Sequence, residues 1–370
     1  MGTDAIRVTR AQALALRLAR HNLCARLAPA SARAAAVVGL QDTPPHAAGI
    51  ALAARIEGAS AADLDSLVIV PSLRGAPMAV APEDLAVFTT ALDPPDEPAA
   101  RALLLTATRT LGAMPALEAL DRVSAAEADA LAGGPLERDA FHDALRQRLP
   151  ATLLPFCRGC QSHHVHPSLW RASGVRGVLS IVGRDGRSAV FARPPPAPVL
   201  DDAGAELARR FLRAYGPATP VLFAGWAGIH RSHADALWAR AGELARVELD
   251  GRPSWLLADD VAALADPPVA SGVRMLPGYD AYLAQRDREL LVPDAALRKR
   301  IWRAIGNPGT VLIEGALAGL WRATGRAKRL VVTVEELDPS VRVAADELTA
   351  EAQLLARWRG AGRAEVAWAT

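Results

Sequence analysis

The stretch AGAELARRFLRAYGPATPVLFAGWAGIHRSHADALWARAGELARVELDGRPSWLL, residues 203–257, decides the reading of the fold. Residues 205–215 read as a helix with Leu207, Phe211 and Leu212 on one face. Gly216-Pro217 breaks it. Thr219-Pro220 then predicts an N-cap followed by proline at the first helical position, opening a short helix to Trp226. Ser232 is the expected cap of a third helix through Leu237, Trp238 and Leu244. Two strands follow, residues 246–249 and 253–257, joined by Asp250-Gly251, a strong hairpin signal. Three helices and then a hairpin is the order of a winged helix, a helix-turn-helix with a β-ribbon appended.

The same order recurs twice. At the N-terminus, Thr9 starts a helix through Leu14, Leu18 and Leu23, Ser31 a second through Val37, Val38 and Leu40, and Pro44 a third through Ile50, Leu52 and Ile56. A ribbon of residues 67–70 and 77–80 follows, around Arg74-Gly75. Residues 136–192 give a helix around Phe141, His142 and Leu145, a middle segment, and a ribbon of 177–182 and 188–191 turned at Asp185-Gly186. The fold class read from this is α+β, with three tandem winged-helix units followed by a small C-terminal β-barrel-like domain. Its segments are a first winged helix (1–92), a helical connector (93–135), a second winged helix (136–193), a third (199–265) and the β-rich domain (266–370). Residues 193–198, RPPPAP, form a stiff linker, because consecutive prolines favour the extended polyproline II conformation. Beyond Pro267, residues 311–313, 317–322, 330–334 and 365–368 read as strands and 343–359 as a helix.

Composition bounds the class. A chain of 370 residues suggests two or three domains at about 150 residues each, and its 51% hydrophobic content excludes a largely disordered protein. No apolar run approaches the ~18 residues of a membrane span. The start, MGTDAIRVTRAQ, lacks a secretory pattern, and three cysteines argue against a disulfide framework, so a cytoplasmic protein is expected, and with no coiled coil or obvious dimer helix in the sequence, a monomeric one. Net charge is only +2, from 42 bases and 40 acids, but the bases cluster. Arg7, Arg10, Arg17, Arg20, Arg26 and Arg33 fall in the first 40 residues, and residues 322–329 hold four bases and no acid. Such clusters suit phosphate contacts, although each alone is more often a solvated face.

Gln41-Asp42-Thr43 falls between the second and third helices of the first unit, where a helix-turn-helix approaches the duplex. A glutamine can orient a water through its amide, and an aspartate can take the proton from it. Hydrolysis of an N-glycosidic bond needs little more when the base leaves as a cation, as N7-alkylguanine does. The sugar oxocarbenium is then stabilised by a nearby carboxylate and the DNA's own phosphates. The structural alternative is plain: Thr43 before Pro44 reads as an N-cap, and Asp42 complements a helix N-terminus.

Four segments occur in order: Gly39 to Thr43 (GLQDT), Arg74 to Val80 (RGAPMAV), Leu276 to Tyr282 (LPGYDAY), and Arg286-Asp287-Arg288. Together they resemble the AlkZ/YcaQ-type DNA glycosylase family of bacterial winged-helix proteins, over nearly the whole chain. The resemblance implies three tandem winged helices, a C-terminal β-barrel, excision of alkylated bases including N7-alkylguanines and, in some members, interstrand crosslinks. The family's catalytic signature is glutamine, an apolar residue, then glutamine or aspartate. Gln41 matches its first position, Asp42 stands at the apolar position, and Thr43 stands at the second functional one.

The expected function is hydrolysis of alkylated bases from double-stranded DNA, with catalytic residues Gln41, Asp42 and Thr43 and no required cofactor. The alternative is a non-catalytic winged-helix DNA-binding protein. Candidate DNA contacts are Arg33, Arg74, His163, His164, His230, Arg231, Arg286 and Arg288. A second constellation, CRGCQSHHVH at 157–166, has zinc-ligand types and spacing, with Cys157, Cys160, His163 and His166 as the expected set for a structural zinc. The competing reading makes the cysteines small buried hydrophobes. Trp226, Trp238, Trp302 and Trp321 sit among apolar neighbours and are expected to pack in cores rather than stack on bases.

Overall fold

The computed structural model describes residues 6–185, 188–325 and 328–369. Residues 1–5 of the opening stretch, Gly186 of the predicted second-ribbon turn and Arg326 of the predicted basic run lie outside them. The class is α+β, as expected. The chain divides into two compact units, one of Met1–Ser66, Arg210–Thr219 and Glu243–Thr370, the other of Leu67–Arg209 and Pro220–Gly242.

In the first unit, Thr9 caps the helix Arg10–Arg20 through a reciprocal capping box with Gln12. The hairpin Leu244–Leu249 and Arg252–Leu257 forms where Asp250-Gly251 predicts it, with both residues at positive φ, 47° and 79°. Strand Ile6–Val8 adds to it in parallel, extending the ribbon to three strands. The second predicted helix is reduced to Ala32–Ala35: Gly39 takes φ 72° and the chain continues as the strand Leu40–Gln41. The third forms as Ala47–Ala53.

The C-terminal sheet runs Val273–Leu276, Gly309–Ile313, Ala316–Thr324, Arg329–Glu336, Arg363–Trp368. The first three pairings are antiparallel, and the last is parallel, so a crossover through helix Ala345–Trp358 is required. That helix buries Leu348, Ala352, Leu355 and Ala356 at helical spacing against Val332, Val334 and Trp321 of the sheet. The predicted barrel is corrected to a half-barrel. Among the described residues the edge strands Val273–Leu276 and Arg363–Trp368 do not pair with each other, so the sheet stays open.

Helix Ala47–Ala53 lies against helix Ala345–Trp358 with no room to spare. A Cβ on Gly49 would sit 2.2 Å from the Trp358 ring. Gly49→Ala is therefore expected to destabilise by about 1–3 kcal/mol, because overpacking outweighs alanine's better helix propensity of about 1 kcal/mol. Urea unfolding of the two proteins measures it; an unchanged or raised midpoint would show that Trp358 yields freely.

In the second unit, the ribbon Val68–Pro71 and Pro77–Val80 forms within a residue of the expected place, and the other forms as Ser180–Asp185 and Ser188–Ala192, its first strand starting later than the expected 177 because a helical turn ends there at the left-handed Gly177. They join in one sheet through Ile69 and Ile181, and Leu136–Glu137 adds to the far edge. Helices Glu97–Leu104 and Ala116–Ala130 occupy the segment 93–135 and lie within this unit. Helix Pro220–Ala227 begins at the predicted proline. Helix Arg231–Trp238 is capped by His230, whose Nδ1 accepts the Ser232 N–H at 3.3 Å, so Ser232 is not the cap. Trp226, Trp238 and Trp321 are buried and Trp302 is half-buried, as core packing requires. Among the described residues, no helix is long and apolar enough to cross a membrane.

Candidate active site

Residues 40–43 alternate in burial: Leu40 and Asp42 are buried, Gln41 and Thr43 half-buried. A period of two is what extended backbone imposes. Leu40 and Asp42 thus take the inward positions of this segment, and Gln41 and Thr43 the more exposed ones. Asp42 is 5% exposed, and its Oδ1 accepts the Ala48 backbone N–H at 3.2 Å. Ala48 lies in the first turn of helix Ala47–Ala53, where backbone N–H groups have no intrahelical acceptor and negative charge is favoured. The residue at the cap position, His46, takes φ 71° and makes no side-chain cap, so Asp42 supplies the acceptor from upstream. The Gln41 side-chain amide has no hydrogen-bond partner among the described residues. The segment thus holds a half-buried carboxamide with both donor and acceptor free, a half-buried threonine two residues on, and between them a buried carboxylate anchored to the next helix.

The LPGYDAY segment turns out to brace this helix. Arg55, just beyond Ala47–Ala53, donates Nη1 and Nη2 to the two carboxylate oxygens of Asp280 at 2.8 and 2.7 Å. The Asp280 carboxylate also accepts the Tyr282 N–H at 2.8 Å. Both partners are essentially sealed from solvent. Arg55 further donates to the His21 and Ala51 carbonyls. The next motif works alike: Asp287 pairs bidentately with the buried Arg17 at 2.9 and 2.7 Å, and Arg17 also donates to Gln285 and to the Gly216 and Pro217 carbonyls. Between these guanidinium groups, burial and then the charges of Arg55 and Arg17 hold His21 well below its usual pKa.

These pairs correct the reading of the N-terminal basic cluster. Arg17, Arg20 and Arg26 are spent on Asp287, Asp260 and Glu351, and Arg10 on the Leu290 and Leu291 carbonyls. They are internal ties, since each acid lies far along the chain where sequence spacing could not reveal it. Of the other candidate DNA contacts, Arg33 is exposed on the short helix Ala32–Ala35. Arg74, at φ 57°, is half-buried and donates to the Trp226 carbonyl. Arg231 is exposed and paired with Asp235 at 2.7 Å. Arg286 and Arg288 are half-buried, and burial lowers the pKa of both guanidinium groups. Arg288 lies 4.9 Å over the Trp302 ring, with Nε buried and unpartnered. Sequence reasoning missed Lys299, Arg300 and Arg303, which line one pocket with Arg322, Trp321 and Glu335 beside the half-barrel, where Arg300 pairs with Glu335 and Arg322 donates to the Gly306 carbonyl. The run Arg298-Lys299-Arg300 was the available signal.

The expected metal set is corrected at both histidines. His163 is exposed with Nδ1 2.8 Å from the Leu154 carbonyl oxygen, and His166 caps helix Pro167–Ala172 by accepting the Ser168 N–H at 3.2 Å. The imidazole beside Cys157 and Cys160 belongs to His164, which sits there instead of reaching outward as a phosphate contact.

Three comparisons bear on what this arrangement serves. The family model described as DNA glycosylase AlkZ-like matches residues 34–358. A curated protein of Streptomyces sahachiroi named interstrand DNA cross-link repair glycosylase is 28% identical over 207 residues, which cover 52% of this chain and 54% of that protein. The chain thus spans about half the length of that curated relative. The solved structure of the Streptomyces sahachiroi DNA glycosylase AlkZ superposes with a TM-score of 0.74 at 23% identity, over 98% of this chain and 100% of that one, and so shares its fold.

Proposed function

The chain belongs to the AlkZ-like DNA glycosylase family, and from that premise we propose that it hydrolyses the N-glycosidic bond of alkylated bases in duplex DNA. The substrate class is N7-alkylguanine, whose positive charge makes the base a ready leaving group, and it extends to crosslinks built on that bond. The observation that carries the reading is the arrangement at 41–43: an unpartnered, half-buried Gln41 amide next to Asp42, whose buried carboxylate is held by the Ala48 N–H. Gln41 orients the attacking water, and the Thr43 hydroxyl assists it. Asp42 contributes negative charge in a desolvated position, where it stabilises the developing oxocarbenium more than it would in water. Its proton-accepting role is secondary, because one oxygen already serves the helix.

We read the element order as three winged helices. The helices Ala203–Tyr215, Pro220–Ala227 and Arg231–Trp238 followed by the hairpin Leu244–Leu249 and Arg252–Leu257 support it most fully. Backbone phosphates would meet Arg33, Arg286, Arg288 and the Lys299, Arg300, Arg303 and Arg322 group, and the protein would act as a monomer. The second reading, a binder without catalysis, is favoured by one observation: the carboxylate of Asp42 already has a structural task.

A duplex carrying a single N7-methylguanine separates the two. Base excision leaves an abasic site, so alkali cleaves the strand at the lesion after incubation. Intact strands at protein concentrations that saturate binding would assign the non-catalytic role.

A further inference from the structure

The glycosylase chemistry leaves one side-chain cluster unused, in the second unit. Strands Phe156–Cys157 and Ser162–His163 pair antiparallel, and the chain between them turns tightly, with Gln161 at φ 52°. The turn brings Cys157 Sγ, Cys160 Sγ and a ring nitrogen of His164 within 4.8 Å of one another. We propose that this is a structural zinc site, with Cys157, Cys160 and His164 as three ligands and His142 as the fourth.

Four observations carry it. The first is the turn itself, which sets two thiols three positions apart across a two-stranded hairpin and brings both sulfurs to the same ring nitrogen. The second is the tautomer of His164. Its Nδ1 lies 2.8 Å from the Val165 carbonyl oxygen, which can only accept, so Nδ1 carries the proton and Nε2 the lone pair. That Nε2 is buried with no hydrogen-bond partner. A histidine held through one nitrogen by a carbonyl, with the other free, is the usual form of a metal-ligating imidazole.

The third observation is spacing. A tetrahedral zinc with Zn–S about 2.3 Å and Zn–N about 2.0 Å places its ligand atoms roughly 3.5–3.8 Å apart, so the cluster needs to contract by about an ångström. The fourth is His142, on helix Arg138–Arg148, whose Nδ1 is buried and unpartnered. Its ring centroid lies 5.5 Å from that of His164. Two imidazoles on one tetrahedral zinc have centroids about 5 Å apart. Two thiolates and two neutral imidazoles also cancel the charge of Zn2+, which suits a partly buried position. The ion would fasten the 156–163 hairpin to helix Arg138–Arg148.

This inference stands apart from the glycosylase reading. Its test is metal analysis of the full chain purified under reducing conditions, followed by replacement with Co2+. The expected result is one zinc per chain, and for cobalt a thiolate charge-transfer band with the intense visible absorption of a tetrahedral site. Cys160→Ser and His164→Ala should each weaken zinc binding by at least the ~100-fold that even supporting residues contribute. His142→Ala should alter the cobalt spectrum, and an unchanged spectrum would remove His142 from the ligand set. Far-UV circular dichroism checks that each variant folds, and the wild-type stoichiometry decides the matter if one does not. Reduced protein that binds no zinc on titration, or a mass deficit of two hydrogens marking a Cys157–Cys160 disulfide in its place, would overturn the proposal.

Discussion

Replacing Gln41 with alanine is expected to slow base release by about 100-fold or more under single-turnover conditions, at the level lost with a positioned acid–base group. Duplex affinity should stay within a few-fold, because Gln41 is one half-buried side chain and the proposed binding rests on several cationic contacts. The variant should fold normally, since the amide makes no hydrogen bond to the described protein. Asp42 separates charge from capping. Asp42→Asn keeps an acceptor for the Ala48 N–H but removes the negative charge, so it should lose activity with little change in stability. Asp42→Ala loses both and should cost a further ~1 kcal/mol of stability, the usual value of a helix cap. The combined Gln41→Ala and Asp42→Ala protein should release no base. Single-turnover rates and urea midpoints for this series give the comparison, and a double variant that excises at the wild-type rate would remove the assignment.

The second large effect lies far along the sequence from Gln41. Asp280→Ala strips the partner from Arg55, a guanidinium group that is 1% exposed. Breaking a buried pair from one side leaves a charge in a poorly solvating interior, and the expected loss is about 3–5 kcal/mol. Activity should fall with it, because Arg55 follows directly on helix Ala47–Ala53, whose first turn holds Asp42. Replacing both partners with leucine should be less damaging than Asp280→Ala, since no unpaired charge remains, although the His21 and Ala51 carbonyls lose a donor. Denaturation midpoints check the order. A double variant less stable than the single would show that the hydrogen bonds to those carbonyls matter more than the ion pair.

These residues also mark where the sequence was legible. Local chemistry read well: the Asp250-Gly251 hairpin, the Thr9 cap and the Pro220 helix start each depend on neighbours within a few positions. The helix expected after Ser31 stops at Ala35, and the turn that follows, closed by the left-handed Gly39, sends the chain into the strand that carries Gln41. Strand Val273–Leu276 was missed since all four residues are buried, Arg274 included, leaving no alternation to detect. The LPGYDAY and RDR segments were visible as motifs, but their service as counter-ions for Arg55 and Arg17 appears only when residues 225 and 270 positions apart are brought together. At 157–166 the ligand types were legible and the right histidine was not. Which imidazole faces the thiols depends on the left-handed Gln161, and spacing carries no record of that.

In the proposed mechanism a water positioned at Gln41, and no amine of the protein, displaces the base. Incubating wild-type protein with N7-methylguanine duplex in the presence of borohydride tests it most directly, with free base and protein–DNA adduct measured together. Release of 7-methylguanine with no trapped adduct is the expected result. A borohydride-stabilised covalent complex, or no free base from a duplex that the protein binds, would contradict it.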